Sequence, residues 1–136
     1  MTNIKRRTYL TSLLSLLGAA FASGQANAPV AGRSIALHVD LQVDPAKEKE
    51  MLAIFHGKFH AAAAKQPGFI SATMLKLRST LQGVAPPHAN YRFVLQFHTE
   101  EQRQAWIATP IHIKLWGTIE QTLVSKQYTV LLYDAA

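Results

Sequence analysis

The stretch Ser34-Ile-Ala-Leu-His-Val-Asp-Leu-Gln-Val43, followed by Asp44-Pro45, decides the fold that this sequence predicts. Apolar residues alternate with small or polar ones along it, which is the period of a half-buried β-strand. One face carries Leu37, Val39, Leu41 and Val43, and the other carries Ala36, His38, Asp40 and Gln42. Asp44 suits a helix N-cap and Pro45 suits the first helical position, so the strand is expected to lead directly into a helix.

That helix is predicted to continue to Gln66 and to end at Pro67-Gly68. Its apolar residues recur at helical spacing and form one stripe. The stripe comprises Met51, Leu52, Phe55, Phe59, Ala62 and Ala63. A second strand is expected over Phe69–Arg78, and Gly83, Pro86 and Pro87 favour a loop over Ser79–Ala89.

The C-terminal part predicts a third strand, two helices and a fourth strand. Tyr91–His98 alternates cleanly, and Thr99-Glu-Glu-Gln102 has the pattern of a capping box at the start of a short helix. Thr109-Pro110 begins the next helix, and Gln127–Asp134 is the last strand. Ile111, Leu115, Ile119 and Leu123 are expected on the buried side of the second of these helices.

The resulting order βαββαβ predicts an α+β, ferredoxin-like fold with a four-stranded antiparallel sheet and its helices on one face. The face without helices mixes polar and apolar residues. Pairing of two such faces in a homodimer, a dimeric α+β barrel, would cover it, because a domain of this size is only marginally stable alone. The alternative is a solvated face on a monomer.

The first 28 residues have the layout of a signal peptide. Lys5-Arg6-Arg7 precedes an apolar stretch, and Ala26-Asn27-Ala28 is a small-x-small cleavage pattern. Arg6-Arg7-Thr8-Tyr9-Leu10 resembles a twin-arginine export signal, with an ordinary Sec signal as the alternative. We therefore expect a signal peptide over 1–28, a linker over 29–33, one domain over 34–136 and an exported, periplasmic protein without a stable membrane anchor.

Composition narrows the classes of function. The 136 residues contain no cysteine, which excludes disulfides, thiolate metal sites and Cys nucleophiles. Three of the 14 basic residues and none of the 8 acidic ones fall within 1–28, which leaves a net charge of +3 beyond that segment. The remaining basic residues are dispersed, so nucleic-acid binding has little support.

Four segments carry a resemblance to a known family: Asp44-Pro45, Gln66-Pro67-Gly68-Phe69, Tyr91 through Glu101, and Ala105 through His112. Residues 34–134 resemble the antibiotic-biosynthesis monooxygenase family of the dimeric α+β barrel superfamily. That resemblance implies oxidation of a small phenol or quinol by dioxygen without a cofactor. A non-catalytic envelope protein that binds a small aromatic ligand or haem is the alternative.

The resemblance also implies a substrate pocket between the sheet and its helices. His112 would act as the base, because the start of a helix disfavours the imidazolium form. Tyr91 and Trp106 would orient the reacting oxygen atoms. The substrate-binding walls would comprise Val39, Phe55, Phe59, Phe93, Phe97 and Trp116.

Haem and metal sites are disfavoured. The haem-degrading branch of the superfamily uses an Asn, a Trp and a His, and the aligned positions here hold Val39, Trp106 and Trp116. His112, about one helical turn before Trp116, leaves haem binding through a shifted histidine open. His56 and His60 are spaced for a shared metal, but the sequence shows no evident third ligand. We expect no metal and no cofactor.

Overall fold

The computed structural model describes residues 33–136. The predicted signal peptide and all but the last residue of the predicted linker lie outside the described residues. Strand β1 (Ile35–Leu41) alternates buried and half-buried residues without a break, as its sequence predicts. Val43 continues the buried face and bridges to Leu123.

The first helical region begins where the sequence predicts it to begin. The Asp44 side chain accepts a hydrogen bond from the backbone N–H of Ala46, and a 3₁₀ turn, Pro45–Lys47, leads into α1 (Glu48–Ile54). A π-helical turn, Phe55–Phe59, then separates α1 from α2 (His60–Ala64), and the His60 N–H donates to the Phe55 carbonyl. The four residues with the most deeply buried side chains here are Met51, Phe55, Phe59 and Ala63.

The π turn explains how residues spaced strictly by four can all face the sheet. In a regular α-helix such a row drifts around the axis, because each turn takes only 3.6 residues. The wider turn at Phe55–Phe59 takes more residues and brings the row back toward the sheet. The sequence predicts the stripe, but it does not show this local widening.

Gly68 makes the turn from α2 into β2 (Phe69–Lys76), with a φ of 83° that glycine tolerates best. The loop between β2 and β3 (Tyr91–Phe97) contains no helix or strand, as predicted. β3 alternates as regularly as β1 and buries Tyr91, Phe93, Leu95 and Phe97.

Two threonines begin the next two helices, as the sequence predicts. Thr99 caps α3 (Glu100–Ile107) by accepting a hydrogen bond from the Gln102 N–H. The reciprocal half of the predicted capping box is absent from the described residues, because the Gln102 side chain lies over Gly68 instead. Thr109 caps α4 (Pro110–Glu120) through the His112 N–H.

Two of the four residues expected on the buried side of α4 lie elsewhere, and one of them, Leu123, falls beyond the end of the helix and is half-buried. Ile111 is 43% exposed, whereas Leu115 and Ile119 are buried. The inward side of α4 passes through His112 and Trp116 rather than through Ile111, which lines a surface groove beside α2. The sequence leaves this rotation open, because every turn of α4 offers more than one apolar residue.

The strands form one antiparallel sheet in the order β2-β3-β1-β4, where β4 is Thr129–Asp134. The predicted α+β, ferredoxin-like fold is confirmed. We call the face toward the helices the inner face and the opposite one the outer face. No helix within residues 33–136 is long and apolar enough to cross a membrane.

Candidate functional site

A cavity of about 120 Å³ lies on the inner face of the sheet, beside α4. Four inward side chains of β1 and β3 form its floor, and helical and β4 residues form its walls. The lining residues are Leu37, Val39, Phe93, Leu95, Ile107, His112, Trp116, Tyr128 and Val130. Its surface is almost entirely apolar, and its volume is close to that of an artificial cavity that binds benzene, so it suits a single aromatic ring.

His112 reaches this cavity because of where α4 begins. Thr109 accepts the His112 N–H at 3.2 Å, which fixes the first turn of the helix and the direction of the imidazole. Three aromatic rings surround that imidazole. Their centroids lie 4.9 Å (Trp106), 5.9 Å (Phe59) and 6.4 Å (Trp116) from it, and the Trp116 ring is nearly parallel to it.

This environment lowers the pKa of His112 to about 4. Burial among apolar rings is the main cause, since it penalises the charged form, and the positive charge of Arg103 adds to it. The backbone of Ile107 opposes the shift, because it favours the protonated ring. The imidazole is therefore neutral at pH 7, and its buried Nδ1 has no hydrogen-bond partner among the described residues.

Trp106 and Phe59 form the layer behind the cavity wall. Both are fully buried, and their ring centroids lie 5.7 Å apart. The Trp106 indole N–H is buried and finds no acceptor within residues 33–136. An unpaired buried donor costs free energy. This donor belongs to the indole ring that packs against His112.

The opposite wall of the cavity is joined by hydrogen bonds. The Trp116 Nε1–H donates to the Tyr128 hydroxyl at 2.8 Å, and that hydroxyl donates to Glu120 Oε2 at 2.7 Å. Burial raises the pKa of Tyr128, so the phenol keeps its proton. The sequence does not single out Tyr128, because its position near the start of the predicted last strand gives no sign that its ring turns toward α4.

The structure brings together four of the nine predicted site residues on the cavity surface: Val39, Phe93, His112 and Trp116. Phe55, Phe59 and Trp106 pack behind them in the aromatic core. Phe97 is buried near Phe69, toward the opposite end of β3 from Tyr91.

Tyr91 lies apart from the other predicted site residues. Its hydroxyl donates to Glu48, which is also ion-paired with Lys76. Burial and the Glu48 carboxylate together raise the pKa of Tyr91 to about 12. Tyr91 does not line the cavity, so the predicted grouping of Tyr91 with His112 and Trp106 differs from the observed one.

Two larger cavities lie away from His112, and neither is lined by the residues that surround it. One of about 420 Å³ lies under the loop between β2 and β3, and one of about 430 Å³ lies between α2 and α4. The second is a groove with Lys58, Lys65 and Lys114 on its rim. Within residues 33–136, no three His, Asp or Glu side chains are grouped closely enough to hold a metal ion.

Comparisons with known proteins show a similarity in fold. Neither a protein-family model nor a curated protein matches the sequence. Among solved structures, a mutant of SnoaB, a cofactor-independent oxygenase from Streptomyces nogalater, matches with a TM-score of 0.60 and 18% identity over 75% of this chain and 92% of that one.

Two further matches are candidate antibiotic biosynthesis monooxygenases. The protein from Caulobacter crescentus has a TM-score of 0.61 and 17% identity, over 76% of this chain and 91% of that one. The protein from Nitrosomonas europaea has a TM-score of 0.59 and 16% identity, over 78% and 93%. The chain therefore has the fold of these proteins.

Proposed function

We propose that the chain is a cofactor-independent monooxygenase that oxidises a small phenol or quinol with dioxygen. The observation that carries the proposal is the ring-sized aromatic cavity with a neutral, desolvated His112 in its wall. The fold that it shares with SnoaB, itself described as a cofactor-independent oxygenase, supports the same chemistry.

Such a reaction needs a substrate that supplies all the electrons itself. Hydroquinone and dioxygen would give hydroxybenzoquinone and water: one oxygen atom enters the ring and the other leaves as water. Removal of the hydroxyl proton makes the ring electron-rich enough to donate an electron to dioxygen. His112 would take that proton, and the resulting imidazolium and substrate anion would stabilise each other against the apolar lining of the cavity.

Oxygen uptake with a panel of hydroquinones tests this proposal. We expect the wild type to consume oxygen above the protein-free rate, and His112→Gln to lower the rate by about 10²- to 10⁴-fold, the usual contribution of a general base. Trp106→Phe should lower the rate less. His56→Gln, at an exposed histidine on the first helical region, is the matched control and should leave uptake unchanged. Uptake equal to the protein-free rate across the panel would refute the proposal.

A second candidate function is binding without turnover. The observation that favours it is the same low pKa, since an imidazole with a pKa of about 4 is a weak base. A binding protein would show a ligand-dependent rise in Tm without oxygen uptake. Haem does not fit this cavity, because even drug-sized ligands need pockets of about 300 Å³ or more. Titration with haem should therefore give no Soret shift.

We also propose that the outer faces of two copies pair in a homodimer. The outer face carries half-exposed Leu75, Leu131 and Tyr133 beside the Asp40–Arg92 ion pair. Leu131→Glu places a charge in the proposed interface and should give a monomer by light scattering. Ile111→Glu is the matched control, because Ile111 has the same 43% exposure but lies on the helical side. A monomeric wild type would contradict the dimer.

Export remains a proposal from residues 1–28. A twin-arginine signal carries folded proteins and depends on its arginine pair. Replacing Arg6 and Arg7 with lysine should retain the protein inside the cell, and continued export would favour the Sec route.

A further inference from the structure

Glu120 lies where a carboxylate is electrostatically unfavourable. It is the last residue of α4, at the negative end of the helix dipole. Its side chain nevertheless turns to the Tyr128 hydroxyl, which lies part-buried against Trp116. A placement that opposes local stability calls for another explanation.

In this chain of hydrogen bonds, the chemical groups themselves determine which one donates and which one accepts. An indole N–H can only donate, so Trp116 occupies one lone pair of the Tyr128 oxygen. An ionised carboxylate can only accept, so the Tyr128 hydroxyl donates a hydrogen bond to Glu120. One lone pair of the hydroxyl is left, and Tyr128 lines the cavity.

The second wall of the cavity carries His112, whose neutral ring has one donor and one acceptor nitrogen. His112 lines the cavity as a neutral ring whose Nδ1 is unpartnered within the described part of the chain. Apart from these two residues, the lining side chains are apolar or, as in Trp116, already hydrogen-bonded. At Tyr128, a ligand therefore meets a hydrogen-bond acceptor rather than a donor.

We propose that Glu120 holds the Tyr128 hydroxyl as a hydrogen-bond acceptor, so that the cavity selects aromatic rings that carry an O–H group over rings that carry only ether or carbonyl oxygens. Tyr128 is the specificity-determining residue, and Glu120 is a positioning residue that acts through it. This inference rests on the cavity being the ligand site of the proposed function, but it does not require turnover.

Phenol and anisole are the probes, because only phenol has an O–H group that can donate a hydrogen bond to Tyr128. Quenching of tryptophan fluorescence reports binding, since Trp116 forms part of the wall. The measured quantity is the ratio of the two dissociation constants, anisole over phenol. Tyr128→Phe should lower this ratio by about five- to tenfold, the effect of one hydrogen bond. Tyr133→Phe, which removes a hydroxyl from the outer face, should leave the ratio unchanged.

Glu120 has its own readout. Glu120→Ala frees the Tyr128 proton to be donated into the cavity, so anisole should gain affinity and the ratio should fall. Glu120→Gln keeps an amide oxygen that can accept the hydrogen bond from Tyr128. Compared with Glu120→Ala, it should retain most of the preference for phenol. If Glu120 had only a structural role, its replacement would lower the affinity for phenol and for anisole equally.

The outcomes separate this inference from the proposed function. An unchanged ratio in Tyr128→Phe, with Tm showing a folded variant, overturns the inference and leaves the oxygenase proposal standing. A changed ratio without oxygen uptake on hydroquinones overturns the oxygenase proposal and supports the inference. If the wild type binds neither probe, the cavity is not the ligand site, and the inference is wrong as well.

Discussion

Strands β1 and β4 lie side by side in the sheet, and both are rich in apolar residues, but the chain covers them very differently. β1 buries every second residue, whereas all six residues of β4 are exposed. Leu37 and Leu132 face each other across the two strands, yet they are 8% and 47% exposed. The cover provided by helices and neighbouring strands, rather than the hydrophobicity of the strand, sets the burial of these two residues.

The position of β4 explains the difference. It is an edge strand, and Trp116, which α4 turns toward the sheet, packs against Phe93 of β3. An exposed apolar edge strand invites pairing with another chain, so natural proteins usually protect it. Here the outer residues Leu131 and Tyr133 lie on the face proposed to dimerise, and the inner residue Val130 borders the cavity.

The largest expected effect tests the comparison directly. Leu37→Ala should lower the free energy of unfolding by about 2–5 kcal/mol, since it creates a cavity in the core. Leu132→Ala, the same change in the facing residue, should cost about 1 kcal/mol or less, because that side chain is half in water already. Urea denaturation of both variants measures the difference, and equal costs would mean that something covers the inner face of β4 in solution.

The buried His112 should make stability depend on pH. The unfolded chain takes up a proton near pH 6.5, whereas the folded chain resists it until the pH reaches about 4. The free energy of unfolding therefore falls as the pH drops through this window. The loss should total about 2–3 kcal/mol, reduced from the full value of the pKa shift because the ring is only partly buried.

Denaturation at several pH values between 4 and 7 measures this slope. His112→Gln should remove much of it, and His56→Gln, at an exposed position, should retain it. An identical slope in the wild type and in His112→Gln would show that His112 is not desolvated in solution.

Gly68 lies in a packed region and Gly83 in an open one, so the same substitution at the two positions compares these regions. A Cβ on Gly68 would lie 1.9 Å from the Gln102 side chain, whereas one on Gly83 would meet nothing within 4 Å among the described residues. Both have a positive φ. Gly68→Ala should therefore cost about 1–3 kcal/mol and Gly83→Ala about 1 kcal/mol, by thermal or urea unfolding. Adding Gln102→Ala to Gly68→Ala should recover the steric part, and the absence of any recovery would contradict the close packing.

The smallest expected effect concerns two threonines. Thr109→Ala removes the N-cap of α4 and should cost about 1 kcal/mol. Thr129→Ala, at the exposed start of β4, should cost only a few tenths of a kcal/mol. Chemical denaturation would compare them, and equal values would argue against the capping role of Thr109.

Most of the fold could be predicted from local patterns. The alternation of β1 and β3, the turn at Asp44-Pro45 and the caps at Thr99 and Thr109 all depend on neighbouring residues, so the sequence contains them in full. The rotation of α4 could not be predicted, because Ile111 and His112 both offer plausible inward positions. The π turn depends equally on how the helix meets the sheet.

Some residues of the candidate site also follow from local sequence patterns, and others do not. Val39 and Phe93 point inward by strand period, and His112 lies in a first turn that the sequence marks. Tyr91 shares the inner face with Phe93, but its hydroxyl goes to Glu48 at the other end of the helix layer. Only the packed structure could show that Tyr128 replaces it at the cavity.

By itself, the sequence determined the order of strands and helices, their caps and the inward face of the central strands, because periodicity and capping act over a few residues. The tertiary structure alone decided that β4 is left uncovered, that His112 is desolvated and that Tyr128 meets Trp116 and Glu120. Those properties depend on which distant side chains exclude water from one another, and that is settled only when the helices pack on the sheet.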